Sequence, residues 1–412
     1  MRSWRFIGIV VIVALIIDLY VYQAVRRVSA GLSAGRRKVV SGLYWGISLG
    51  ALVVFCLLPL VTDPGRERAK NYLFFSLLAF FFAKLLAAAF FLIDDLRRAI
   101  QWASVKAFTR KKETDKDLKI SRSLFMSWLG LGVGGGLMGS LVYGFSNKYN
   151  YKVHRVQLAF DNLPASFKGL KIVQLSDIHS GSLGNKEAVT KGVDMVLAEN
   201  ADLILFTGDL VNDVSKEMDG FMEVFGRLKA PMGVFSTLGN HDYGDYIWWE
   251  TPELKKANLD RLMKMQGDMG WRLLMNEHVA LERGGEQIAL IGIENWSAKA
   301  RFTKHGKLKE AYAGTEKYPF KILMSHDPSH WDAEVRPHFP DIDLALAGHT
   351  HGMQFGIEIP GLRWSPVQYV YKQWAGLYEE GRQKLYVNRG FGFIGYPGRV
   401  GILPEITVIE LV

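Results

Sequence analysis

Four apolar stretches crowd the first 150 residues, near 6–25, 40–62, 71–93 and 124–146. Each approaches or exceeds the ~20 residues that a helix needs to cross a bilayer. The chain therefore reads as a four-helix transmembrane region over 1–150 followed by a separate domain over 151–412. The first stretch has the position of a signal peptide, but it lacks a clear small-residue cleavage site and three further spans follow, so it reads as retained. Charge divides at the same boundary: residues 1–150 hold 21 Lys and Arg against 8 Asp and Glu, and the remainder holds 29 against 33. The net charge of +9 thus belongs to the membrane half. A mildly acidic remainder speaks against nucleic acid as a partner, which asks for a cationic face. The lone cysteine, Cys56, lies in an apolar run, which excludes an internal disulfide, a thiolate metal site and a thiol nucleophile.

Basic residues in short loops give an orientation. Arg26, Arg27, Arg36, Arg37 and Lys38 follow the first span; Arg97, Arg98, Lys106, Arg110, Lys111, Lys112, Lys116, Lys119 and Arg122 follow the third. The opposite side carries Arg2, Arg5, Arg66, Arg68, Lys70, Lys148, Lys152 and Arg155, with Asp63 and Glu67 interspersed. The richer side is expected to be cytoplasmic, which would put both termini and the second domain outside the cytoplasm of a multi-pass protein of the cell (inner) membrane. Asp18 and Lys84 fall at similar depth within spans one and three. A charge in lipid is costly unless paired, so either they face each other or each reaches water separately. Span four is rich in glycine, and the Gly132/Gly136 and Gly135/Gly139 spacings suit close helix packing.

Beyond residue 150 short β-rich runs alternate with amphipathic helices, the pattern of an α/β or α+β domain. Strands are expected over Lys171–Leu175, Leu203–Phe206, 233–237, 288–293, Lys321–Met324, Leu344–Ala347 and 385–387, and helices over 186–199, 217–228 and 253–268. Five segments share one design, in which a hydrophobic strand ends and acids or histidines follow at once. They are Ser176-Asp177-Ile178-His179, Gly208-Asp209, Gly239-Asn240-His241-Asp242, Ser325-His326-Asp327 and Gly348-His349-Thr350-His351-Gly352. Strand ends are where α/β folds gather ligand-binding groups, because the sheet aims the loops. Five of the ten histidines lie in these segments. A lone histidine is more often structural, but five beside Asp, Asn or Gly at strand ends point to a metal. Oxygen and imidazole donors without thiolate suit Mn, Fe, Zn or Co. On extended backbone the strand period of two would aim Asp177 and His179 the same way, and His349 with His351.

The ordered blocks D-x-H, G-D, G-N-H-D, H and G-H-x-H resemble the signature of the calcineurin-like metallophosphoesterases, within them the transmembrane or exported bacterial subgroup, over roughly 170–410. The resemblance implies that family's two-sheet sandwich flanked by helices, here preceded by the transmembrane region. It implies two divalent metal ions, the first held by Asp177, His179 and His351 and the second by Asn240, His326 and His349, with Asp209 bridging. It further implies that a metal-activated hydroxide attacks phosphorus. His241 would stabilise the transition state or protonate the leaving oxygen, and Asp242 would orient and charge His241. Asp213 reads either as support for this site or as a solvated acid. Tyr246, Trp248 and Trp249 read as an aromatic wall, a membrane-facing lip or core. Arg389 reads as a phosphate contact or a structural ion pair. Ser121-Arg122-Ser123 sits where exported relatives carry a twin-arginine signal, yet only one arginine is present. The expected activity is hydrolysis of a phosphomonoester or phosphodiester, carried by a phosphorylated small molecule, lipid or wall polymer, at the outer face. Alternatives are a UDP-diacylglucosamine-type or other phospholipid pyrophosphatase or phosphodiesterase, and a catalytically dead membrane scaffold.

Overall fold

A computed structural model describes residues 2–61, 67–108 and 122–412. Asp63, Arg66, Arg110, Lys111, Lys112, Lys116, Lys119 and Ser121 lie outside the described residues, as do the side chains of Arg2, Arg5, Glu67 and Arg68. The chain divides into two compact units, Met1–Tyr143 and Gly144–Val412.

In the first unit α1 (Arg2–Val28), α2 (Ala34–Leu57), α3 (Glu67–Phe108) and α4 (Leu124–Asn147) are all long and apolar enough to cross a membrane. At 42 residues α3 runs well past the expected span. A helix that long measures ~63 Å against a hydrocarbon core of ~30 Å. Its polar end is held by pairing: Arg122 meets Asp95 at 2.6 Å, and the Ser123 amide donates to Asp94 at 2.9 Å. Asp18 and Lys84 do face each other in an ion pair. Tyr44 donates to Asp18 at 3.0 Å, and Lys84 donates to Ser48 at 2.8 Å, so neither charge lies bare among apolar helices. The tight glycines are not the expected ones. A Cβ on Gly130 would stand 2.6 Å from the Phe91 ring and one on Gly134 2.6 Å from the Ala83 carbonyl, while Gly132, Gly135, Gly136 and Gly139 have open space. The face of α4 that meets α3 is thus the Gly130/Gly134 face.

The strands of the second unit run, in chain order, β1 (Lys152–Leu158), β2 (Lys171–Leu175), β3 (Leu203–Phe206), β4 (Val234–Ser236), β5 (Arg272–Leu273), β6 (Glu277–Arg283), β7 (Glu286–Gly292), β8 (Lys321–Met324), β9 (Leu344–Ala347), β10 (Ile357–Ile359), β11 (Leu362–Trp364), β12 (Gly376–Glu380), β13 (Gln383–Val387) and β14 (Glu405–Leu411). One six-stranded sheet has the order β1-β14-β2-β3-β4-β5, a second has β12-β13-β9-β8-β7-β6, and β10 and β11 form a hairpin. β2 to β5 are mutually parallel, as are β7, β8, β9 and β13. Central parallel strands are buried on both faces, which is why β3 and β9 read as unbroken apolar runs.

The two sheets bury Ile172, Leu203 and Leu205 against Ile322, Met324, Leu344 and Leu346. Alternate residues of the first sheet, Val173, Ile204 and Phe206, pack outward under α5 (Lys186–Ala198) and α7 (Pro252–Asp268), through Val189, Val193, Leu262 and Met265. The outer face of the second sheet buries Leu323, Ala345 and Leu385 with Trp331 and Val335. This is the expected two-sheet sandwich flanked by helices. The helix expected over 217–228 is not continuous: a turn over Ser215–Met218 is followed by a short α6 (Met222–Phe225). Glu217 spends its carboxylate on the backbone amides of Asn212, Asp213 and Val214, closing a loop there instead of extending a helix.

Candidate active site

Every proposed donor stands just past a strand end, and their backbones are unusual. Among the described residues nine non-glycine positions have positive φ, and five are Asp177, His179, Asp209, His349 and His351. The expectation of extended Asp-x-His pairs fails here: φ is 53° at Asp177 and 47° at His179. The left-handed turns fold the chain back at the strand ends, and the donors converge by that route. Such backbone costs of order 1–3 kcal/mol per residue and persists only where neighbours hold it. The Asp177 amide donates to the Gly208 carbonyl at 2.9 Å and the His179 amide to the Asp209 carbonyl at 3.1 Å, so the first two loops lock each other. Gly348 has to be glycine, since a Cβ there would run into Ser176 Oγ and the Asp177 carboxylate.

Asp177, His179 and His351 offer ligand atoms within 4.8 Å of one another, and so do Asp209, His326 and His349. Asp209 Oδ2 lies 3.6 Å from His179 Nε2 and 3.1 Å from His326 Nε2, between the two groups. Asn240 lines the same cavity with its Oδ1 buried and unpartnered, while its Nδ2 donates to Tyr246 at 2.8 Å. Both ring nitrogens of His179 and Nε2 of His351 are also buried without a hydrogen-bond partner. Buried polar atoms left bare in a folded protein call for a ligand, and oxygen and imidazole donors in this number fit divalent cations.

Neighbouring groups fix which atom each imidazole presents. A carbonyl can only accept, so His326 donates Nδ1–H to Thr207 O at 2.8 Å and turns Nε2 inward. His349 is placed the other way round: Nε2 meets the Tyr371 hydroxyl at 2.8 Å and Asp327 at 3.4 Å, leaving Nδ1 facing His326 Nε2 at 3.2 Å. Burial holds His179, His349 and His351 below the ordinary imidazole range, in the neutral form that binds metal. For His326 burial acts the same way, but the Asp209 charge outweighs it and lifts the ring to about 10. Burial works against the charged form of Asp209 too. The imidazoles of His326 and His241 win, and the carboxyl lies well below the usual range.

His241 lines the cavity with its ring 4.9 Å from that of His179 and 4.5 Å from that of Tyr246. Its Nδ1 lies 2.7 Å from the Asn212 carbonyl, so Nδ1 carries a proton and Nε2 is the working atom. The role expected for Asp242 is therefore corrected: a backbone carbonyl, not this carboxylate, orients His241. Asp242 is fully buried and accepts from the amides of Asp209, Gly239, Leu210 and Val211 at 2.9, 2.8, 2.8 and 3.3 Å. It ties the second loop to the third.

Tyr246 is part of the cavity wall, Trp249 donates to the Gly244 carbonyl, and Trp248 is 82% exposed. Arg389 is buried in ion pairs with Glu405 and Glu358, which makes it structural. Asp213 is half-buried: its Oδ1 is buried and bare, and burial pushes the carboxyl up to about 6. Sequence reasoning missed Asp327, Tyr371 and Arg399. Arg399, fully buried, donates to the carbonyls of His351 and Arg389 at 3.2 and 2.8 Å and braces the His351 loop. Asp327 alone carried a local signal, being next to His326.

A buried cluster of carboxylate, amide and imidazole donors at the strand ends of a two-sheet sandwich defines a metal-dependent hydrolytic enzyme. Comparison with known proteins narrows the class. Residues 170–353 match the family model "Calcineurin-like phosphoesterase", and residues 1–148 match "Probable Calcineurin-like phosphoesterase, transmembrane domain". The chain is 31% identical over 278 residues to a transmembrane protein with metallophosphoesterase domain from Danio rerio, covering 66% of this chain and 60% of that protein's own length. It is 30% identical over 268 residues to the phosphodiesterase YaeI of Escherichia coli, covering 63% of this chain and 87% of that one. It is 29% identical over 257 residues to the metallophosphoesterase YkuE of Bacillus subtilis, covering 60% and 81%. The chain belongs to the calcineurin-like phosphoesterase family, as a membrane-associated member with an intact set of candidate metal-binding residues.

Proposed function

We propose that the protein is a membrane-anchored, two-metal hydrolase of phosphomonoester or phosphodiester bonds, working at the extracytoplasmic face. The observation that carries this reading is the position of Asp209 Oδ2, between the imidazoles of two separate three-donor groups. Asp177, His179 and His351 would hold one cation and Asn240, His326 and His349 the other, with Asp209 shared; Mn, Fe, Zn and Co all suit these donors. When bound, such a pair supplies Lewis acidity to the phosphoryl oxygens and acidifies water for in-line attack. The chain's own contribution is to present His179, His349 and His351 as neutral imidazoles, to fix the ring of His326 through Thr207, and to place His241 Nε2 at the cavity wall, where its protonated form can give a proton to the leaving oxygen. Substrate enters a cavity of about 480 Å³ whose wall includes Tyr246, Arg301, Phe302 and Tyr371.

The test uses the full chain in detergent, loaded with Mn²⁺, and an aryl phosphodiester. Turnover should be abolished by EDTA, restored by Mn²⁺, and absent in Asp209→Ala; activity unchanged in that variant would overturn the site. The outward orientation rests on the loop charges, and a phosphatase reporter fused after residue 412 reads it directly: an inactive reporter on an inserted chain would reverse it.

A further inference from the structure

The metal cavity has two unlike flanks. On one side Met353, Val367, Val370 and Ile394 line it, and Met353 and Val370 are 57% and 54% exposed. The same stretch of chain also exposes Ile357, Ile359, Leu362 and Tyr369, the first three on the β10–β11 hairpin. Exposed apolar side chains gathered this way mark a contact surface for something apolar. On the other side a second chamber of about 300 Å³ shares Asn240, Tyr246 and Arg301 with the first and is otherwise polar: Tyr243, Asp245, Asn295, Thr303 and His305.

Two atoms of residues lining that chamber are buried without a partner, Asn295 Oδ1 and His305 Nε2. Asn295 is only 1% exposed, and its Nδ2 is committed to the Thr303 carbonyl at 3.3 Å. The His305 ring is stacked on Tyr243 with centroids 4.0 Å apart, which keeps Nε2 where it is. The chamber's hydroxyl, amide, carboxylate and imidazole side chains both donate and accept, as a hydroxylated group does. Arg301 lines both chambers, its guanidinium over Phe302 at 4.5 Å and against the Tyr371 hydroxyl; among the described residues no carboxylate pairs with it.

We infer that the substrate is an amphiphilic phosphodiester. Its hydroxylated arm sits in the chamber of Asn295 and His305, its apolar arm lies over Met353, Val367 and Val370, and Arg301 meets its charge at the junction. This rests on the phosphoesterase reading above and narrows it, because a monoester would leave one flank empty. Hydrolysis breaks one P–O ester bond; water gives its oxygen to phosphorus and one proton to the departing alkoxide, so the products are an alcohol and a monoester.

The experiment uses the full Mn²⁺-loaded chain and two series of diesters. One keeps a glycerol arm and varies the other from ethyl through hexyl to decyl, at a fixed micelle fraction; the second keeps the decyl arm and exchanges glycerol for ethyl. For the unaltered protein kcat/KM should rise about tenfold or more from ethyl to decyl, and fall by about tenfold when glycerol gives way to ethyl. Val370→Asp should flatten the chain-length series. Asn295→Leu should raise KM for the glycerol diesters about tenfold more than for the ethyl ones, and Thr303→Val is the milder substitution of the same chamber if Asn295→Leu folds poorly. Equal kcat/KM across either series, or variants that slow all diesters alike, would overturn the inference. An aryl phosphodiester, tested beside Asp209→Ala, separates the two levels. If the unaltered protein does not turn it over, the phosphoesterase reading fails; if it does and the series are flat, only the inference fails.

Discussion

Replacing Asp242 separates two roles for one carboxylate. Each of its oxygens accepts two backbone amides, three of the four from the loop that carries Asp209 and one, Gly239, from the loop that carries Asn240. A hydrogen bond to a charged group contributes about 1.5–3 kcal/mol, and a buried donor left unsatisfied costs a similar amount. Asp242→Asn keeps one oxygen for two of the amides and turns an NH₂ toward the other two, so about two bonds are lost. The expected cost is roughly 3–4 kcal/mol after partial relaxation. For a unit of this size each kcal/mol moves Tm by ~2–4 °C, which predicts a fall of about 6–16 °C. Thermal unfolding of the full chain, with and without Mn²⁺, reads the shift. Activity measured well below the lowered Tm should fall through weaker metal loading, with the pH–rate profile keeping its shape. A Tm within about a degree of the unaltered protein, together with a displaced acidic limb of that profile, would refute this reasoning and return Asp242 to the role of orienting His241.

The Asp18–Lys84 pair predicts non-additive damage: Lys84→Ala alone strands a buried carboxylate at a cost of about 3–5 kcal/mol, whereas Asp18→Ala/Lys84→Ala should unfold in micelles closer to the unaltered protein. Equal damage from single and double replacements would mean that the pair is not coupled. Arg399→Lys cannot reach the same carbonyls, so His351 should lose its brace and the Mn²⁺ titration should weaken by about tenfold or more. Asp213 predicts a pH effect. Its carboxyl binds a proton more tightly in the folded state, at about 6 against 3.8, so its contribution is present below the lower value and is lost as pH rises through the upper. Asp213→Asn should therefore gain stability relative to the unaltered protein at about pH 7.5 compared with about pH 4.5; the same difference in Tm at both would contradict the assignment.

How much of this was legible in the chain varied with position, for physical reasons. β2, β3, β8 and β9 stand at their expected bounds because a strand buried on both faces is largely apolar, broken here only by Lys171, Gln174 and Lys321, and each ends at a donor block. β1 and β6 went unseen because an edge strand with a wet face tolerates Lys, His, Arg and Glu, as in Lys152–Leu158 and Glu277–Arg283. The donor residues were legible as a list, but their local geometry was not. Spacing by two suggests an extended pair only if the backbone is a strand, and past the last ladder bond nothing in the residue order says that φ turns positive. Tyr371, Arg399 and Arg301 carry no local pattern at all, because their roles come from loops far away in sequence.

Strain and bracing at this site are two sides of one arrangement. Five donors occupy left-handed backbone. At of order 1–3 kcal/mol each, strain on that scale rivals a whole domain's net stability. The compensation is visible in unusual bonds: a carboxylate taken up by four amides at Asp242, Asp177 accepting the His349 amide at 2.9 Å, and a buried guanidinium on carbonyls of the His351 and Arg389 segments. These bonds are made within the chain, so the donors are braced by the protein itself. Bracing of this kind lowers the cost of ordering the loops that a bound cation would otherwise meet. A centre braced this way should give up its metals to EDTA without unfolding.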